Sequence, residues 1–112
     1  MTSHCFTSSR IRDLNDRFRH NITSGQWMLT RGMADKGAEF VSQAVHRVRD
    51  FYTFTEGDDP YGEHDFGSFD LAGERLFWKI DYYDPSLSYG SDAPDDADAT
   101  CRVLTIMLAS EY

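Results

Sequence analysis

Residues Ser68–Tyr83 read Ser-Phe-Asp-Leu-Ala-Gly-Glu-Arg-Leu-Phe-Trp-Lys-Ile-Asp-Tyr-Tyr. Phe69 and Leu71 alternate with Ser68 and Asp70. Leu76, Trp78, Ile80 and Tyr82 then alternate with Phe77, Lys79, Asp81 and Tyr83. A period of two belongs to a strand whose side chains point to opposite faces. Ala72-Gly73 supplies the reversal, so the stretch predicts a hairpin. Its second arm is apolar or aromatic on both sides at several points, which places it at the centre of a sheet.

Upstream, Thr53–Asp65 is a polar loop. Its segment Asp58-Asp59-Pro60-Tyr61-Gly62-Glu63-His64-Asp65 carries turn-making Pro and Gly among carboxylates and one imidazole. Before it, Phe40, Val41, Ala44, Val45, Val48, Phe51 and Tyr52 repeat at helical spacing. They predict a helix from an Asp35 cap to about Tyr52. Gln26–Arg31 reads as a short strand ended by Gly32. Ile11, Leu14, Phe18 and Ile22 form one stripe of a first helix, with Ser9 as its N-cap. Arg10, Arg12, Arg17 and Arg19 are expected on its solvated surface, and residues 1–8 as a loose lead-in.

Downstream, Asp84–Thr100 is an acidic loop with Pro85, Gly90 and Pro94. Arg102–Tyr112 fits either a helix face or a buried strand. Helix is preferred here, because an Asp-rich lead-in suits a helix N-terminus. The expected fold is therefore α+β, one domain over residues 1–112, in the order α-β-α-β-β-α, with a small antiparallel sheet packed by helices.

A chain of 112 residues with 40% hydrophobic and 14% aromatic content can bury one core. Its net charge is -8. The charge is uneven: residues 1–55 carry eight Lys and Arg against five Asp and Glu, and residues 56–112 carry three against fourteen. Such an acidic chain is a poor match for nucleic acid or anionic membrane, which are themselves polyanions. Two cysteines, Cys5 and Cys101, are too few for a disulfide scaffold, although a pairing between them stays open. No apolar leader and no membrane-length run is present, so a cytoplasmic location is expected.

Ile11–Phe18 (IRDLNDRF), Phe77–Asp84 (FWKIDYYD) and Arg102–Tyr112 (RVLTIMLASEY), with Asp58–Gly67, resemble the bacterial domain-of-unknown-function family 3768 from about Arg10 onward. That family has no assigned activity to transfer. The resemblance implies an origin in plasmids and mobile elements. By association, it implies interference with host defence of the anti-CRISPR or anti-restriction kind.

Two functional readings follow from the residues. The leading one is a non-catalytic interaction protein, with neither cofactor nor resident metal, that engages a basic protein surface. Its contact residues would be Asp81, Tyr83, Asp84, Tyr89, Asp92, Asp95, Asp96 and Asp98. Exposed tyrosines among carboxylates suit arginine and lysine by cation–π contact and charge pairing. An RNA-binding sheet would instead flank its aromatics with Lys and Arg. The alternative is a small metal-dependent or acid–base enzyme centred on Glu63, His64 and Asp65. No second His stands at the i+4 spacing of a zinc signature. The turn reading has Asp58, Asp59 and His64 binding free backbone amides or capping the hairpin, and Arg75 or Lys79 pairing with Asp65.

Overall fold

The computed structural model describes residues 2–21 and 26–112. Strands β2 (Phe66–Leu71) and β3 (Glu74–Tyr83) form the expected hairpin around Ala72-Gly73. They join β1 (Gln26–Leu29) and β4 (Cys101–Leu108) in one sheet of order β1-β4-β3-β2. β3 is an inner strand, as its two-sided apolar character predicts. The helices are α1 (Thr2–His20), the single turn α2 (Arg31–Ala34) and α3 (Ala38–Arg49). The class is α+β.

Several elements differ from expectation. Residues 101–108 form a strand, not a helix. β4 is an inner strand between β1 and β3, and side chains on both of its faces are buried: Leu104 and Ile106 on one, Val103 and Met107 on the other. A strand buried on both sides loses alternation, and its apolar run then fits helical spacing as well. Because β4 pairs parallel with β1 and antiparallel with β3, the sheet is mixed rather than antiparallel. Helix α1 already includes Thr2, so the residues expected as a lead-in are helical from there and Ser9 is internal rather than a cap. The expected second helix is divided: Thr30 caps α2, Gly32 lies within it, and α3 starts after Gly37. Ile22 lies outside the described residues, as does the side chain of Cys5. Cys101 carries a free thiol.

The register builds the core. Trp78 faces Ile106 and Ile80 faces Leu104 across β3 and β4. These side chains pack with Phe69, Met33, Ala44, Val48 and Phe51 in one buried cluster. Phe51 meets Trp78 edge-on, with ring centroids 5.6 Å apart. Opposite Trp78 stands Gly67, where a Cβ would lie 2.4 Å from the indole nitrogen. Glycine at that position makes room for the tryptophan. Of the helical face, Ala44 and Val48 are fully buried, Val41 and Val45 half-buried, and Tyr52 exposed. The chain has already left α3 at Arg49, so Tyr52 no longer follows its stripe.

At the far end of the chain, Glu111 ties the C-terminal turn to α2. Its carboxylate accepts from the Thr30 hydroxyl, from the Gly32 amide at 3.0 Å and from the Leu108 amide at 2.9 Å. The Thr30 bond, followed by the amides, holds this carboxyl below its ordinary range.

Candidate interaction site

The loop before the hairpin is organised by Asp59. Its buried carboxylate accepts from the backbone amides of Glu63 (3.0 Å) and His64 (3.1 Å). Gly62 and His64 take positive φ, and the Gly62 amide donates to the Asp59 carbonyl. Asp-Pro-Tyr-Gly is thus a side-chain-braced turn, and Asp59 has the amide-binding role that the turn reading gives it. Asp58 accepts from the Ser68 hydroxyl at 3.2 Å and so fixes the loop to β2.

Glu63, His64 and Asp65 face different elements. The Glu63 carboxylate accepts from Ser8 at 3.1 Å. His64 Nδ1 lies 2.8 Å from Asp16 on α1, and its ring stacks on Phe54 with 3.8 Å between centroids. Asp65 accepts from the Tyr82 hydroxyl at 3.0 Å. The basic residues suggested for Asp65 pair elsewhere, because the register sets Arg75 opposite Asp70, and Lys79 reaches Asp81. Among the described residues, no group of three or more His, Cys, Asp or Glu side chains is placed to hold a metal ion.

Beneath this loop runs a polar chain that sequence reasoning missed. Fully buried Asn15 donates to the Glu63 carbonyl (3.0 Å) and to the Tyr82 oxygen (2.8 Å). Its own side-chain oxygen accepts from Arg102 Nε at 2.6 Å. Arg102 reaches on to the Pro94 carbonyl and lies over the Tyr82 ring. Asn15, Tyr82 and Arg102 thus partner one another, which avoids the cost of stranding their polar groups in a low-dielectric interior. One signal was legible: Asn15 and Arg19 fall four and eight residues after Ile11, on the apolar stripe itself.

Burial pushes the Asp65 carboxyl above its ordinary range, against the Tyr82 hydroxyl, which favours the charged form; Asp59 and Asp81 add to the rise. A raised folded-state pKa means the native protein holds a proton that the unfolded chain has released. Stability from this group is therefore present at low pH and falls as pH rises from about 4, the unfolded value, through the folded one. Asp65→Asn keeps an acceptor for Tyr82 and removes the charge. The variant is expected to melt no lower than wild type at pH 7, with the wild-type-minus-variant difference turning unfavourable to wild type as pH rises. Thermal melts across this range check it, and a neutral-pH loss in the variant would show that the charge itself is needed.

The same chain holds the acidic loop in place. Asp84 accepts from the Ser86 hydroxyl (2.9 Å) and the Ser88 and Tyr89 amides, closing a turn that ends in a Tyr83–Gly90 bridge. Partial desolvation raises the Asp84 carboxyl, but these donors together outweigh it and leave the group below its ordinary range. Ser91 and Thr100 then meet at 2.7 Å, and Thr100 donates to the Ala93 carbonyl, pinching the base of residues 91–100. Arg102 holds Pro94 and Arg10 holds the Asp95 carbonyl at 3.2 Å. Asp96 caps the 3-10 turn Ala97–Ala99.

The eight residues expected to make contact thus divide. Asp81 is paired with Lys79 at 3.0 Å, Asp84 holds its own turn, and Tyr83 is half-buried. Tyr89 is 76% exposed. Asp92, Asp96 and Asp98 are exposed and Asp95 is half-exposed. Among the described residues, none of these four carboxylates forms an ion pair.

An α+β domain that presents an ordered acidic loop on a mixed four-stranded sheet is the class of protein defined so far. The chain belongs to the DUF3768 family of proteins of unknown function, whose model matches residues 29–111. The stretch Ile11–Phe18 lies ahead of that match. No curated protein and no solved structure matches the chain. Among the described residues, no helix is long and apolar enough to cross a membrane.

Proposed function

We propose that the protein is a non-catalytic interaction module whose acidic loop engages a basic protein surface. The observation that carries this reading is the contrast among its carboxylates. Asp16, Asp59 and Asp65 are committed to internal bonds. Among the described residues Asp92, Asp95, Asp96 and Asp98 have no cationic partner, yet they stand on a loop fixed at its base and along its length. A fixed array of charges needs little ordering on binding, which lowers the entropic cost of association. Exposed Tyr89 adds an aromatic face for arginine or lysine. In this role the loop would imitate the charge of nucleic acid toward a nucleic-acid-binding protein, consistent with a mobile-element antagonist of bacterial host defence.

The test is retention of a partner from bacterial lysate, with its nucleic acid left intact, at low and high salt. A Lys/Arg-rich protein should be held at low salt and released at high salt, because a Debye length of about 8 Å at physiological ionic strength screens such a field. Replacing Asp92, Asp95, Asp96 and Asp98 together by Asn is expected to slow association with that protein about tenfold or more, with a smaller change in dissociation. Recovery of free nucleic acid, or retention unchanged by the four substitutions, would overturn the reading.

A further inference from the structure

A cleft of about 720 Å³ involves none of the acidic-loop residues. It is framed by the C-terminal half of α3, the segment after it and the end of β2. Gln43, His46 and Arg47 line it from α3, Tyr52 from the following segment, and Phe51 with Leu71 form its apolar part. Its size falls in the range of small-ligand sites, on the order of 300–1,000 Å³.

The two formally charged side chains that line this cleft, Arg47 and Asp50, are differently committed. The carboxylate that lines it, Asp50, is held by two bonds from Arg49, at 3.1 and 3.2 Å. Arg47 is anchored by one bond to the Asp70 carbonyl (3.3 Å) and by stacking over Phe69. The rest of its five-donor fork has no acceptor among the described residues, and the His46 imidazole makes no hydrogen bond to any of them. Tyr52 is 83% exposed, with no ring packed on it among the described residues. The frame is stiff, because Arg19 holds the carbonyls of Val48, Arg49 and Phe51 directly behind it.

We propose that this cleft binds a small anion carried on a flat aromatic body, of the size of a nucleoside monophosphate. Arg47 and His46 take the anionic group, since a guanidinium fork matches phosphate oxygens in a charge-assisted geometry. Tyr52 stacks on the ring and Gln43 reads its polar edge. A longer polyanion is repelled by the -8 net charge of the chain. An uncharged ring lacks the ionic half of the contact.

The experiment is amide-resolved NMR titration with four probes: AMP, adenosine, inorganic phosphate and a short oligodeoxynucleotide. AMP at millimolar concentration is expected to shift the amides of Gln43, His46, Arg47 and Tyr52 saturably. Adenosine and phosphate alone should each bind about tenfold more weakly or worse, the cost of losing one charge-assisted or stacking contact. His46→Glu places a carboxylate at an exposed position and Tyr52→Ala removes an exposed ring; both should fold normally and lose the response. No saturable shift at these amides, an unchanged response in both variants, or tighter binding of the oligonucleotide than of AMP would each overturn the proposal.

Discussion

Val48→Asp is expected to yield a chain with no cooperative melting transition. Val48 is fully buried, on the face of α3 that packs into the cluster of Ala44, Phe51, Phe69 and Trp78. A carboxylate there is cut off from water, and the buried Arg19 guanidinium nearby already gives its bonds to Asp16 and to backbone carbonyls. Stranding a charge in a core costs several kcal/mol, against a total stability of about 5–15 kcal/mol for a domain of this kind. Removing the valine side chain adds the loss of its packing. Val45→Asp is the internal control. Val45 is half-buried, so a carboxylate there can reach water, and the variant should melt at a lower temperature but still cooperatively. Circular dichroism melts of the two proteins decide the matter. A Val48→Asp protein that melts cooperatively near the wild-type temperature would mean that α3 does not pack on the sheet through this face.

How much of this was legible beforehand depends on whether the signal was local. The hairpin was readable because alternation, Ala72-Gly73 and the return strand all sit within sixteen residues. α3 was readable for the same reason: its stripe repeats within a few turns. β4 was not, because its strand character comes from neighbours far away in sequence, Gln26–Leu29 on one side and Leu76–Tyr83 on the other. Burial from both sides erases the alternation that would have marked it. The turn Asp58–Asp65 was read correctly in chemistry but not in partners. Asp59 binding the amides is local, whereas His64 to Asp16 and Asp65 to Tyr82 depend on the tertiary fold. The acidic loop was read as a run of charge. What sequence withheld was that Asn15 and Arg102, remote from it in the chain, fix it in place.

Arg19→Ala is expected to destabilise the protein nearly as severely as a core charge, although arginine on a helix reads as surface. Arg19 is 2% exposed. One of its terminal nitrogens donates to the carbonyls of Val48 (2.9 Å), Arg49 (2.9 Å) and Phe51 (3.0 Å), and the other to Asp16 at 3.2 Å. The last carbonyls of a helix have no partner within it, so Arg19 of α1 completes the C-terminus of α3. Its cation also offsets the partial negative charge that the helix dipole places there. The guanidinium lies over Phe54 and Trp78 as well. Burial pulls its pKa down, while the bond and charge of Asp16 act against that pull. Truncation would leave the carbonyls short of donors, Asp16 without its cation and a void beside Trp78. Breaking a buried charged group away from its partners costs about 3–5 kcal/mol, a third or more of a marginal domain's stability. Arg19→Lys should recover only part of the loss. An ammonium is a compact charge that cannot span the same acceptors or lie flat over two rings. Urea denaturation of the three proteins measures the differences directly. If the alanine variant lost less than about 1 kcal/mol, as surface substitutions do, Arg19 would be a surface residue after all.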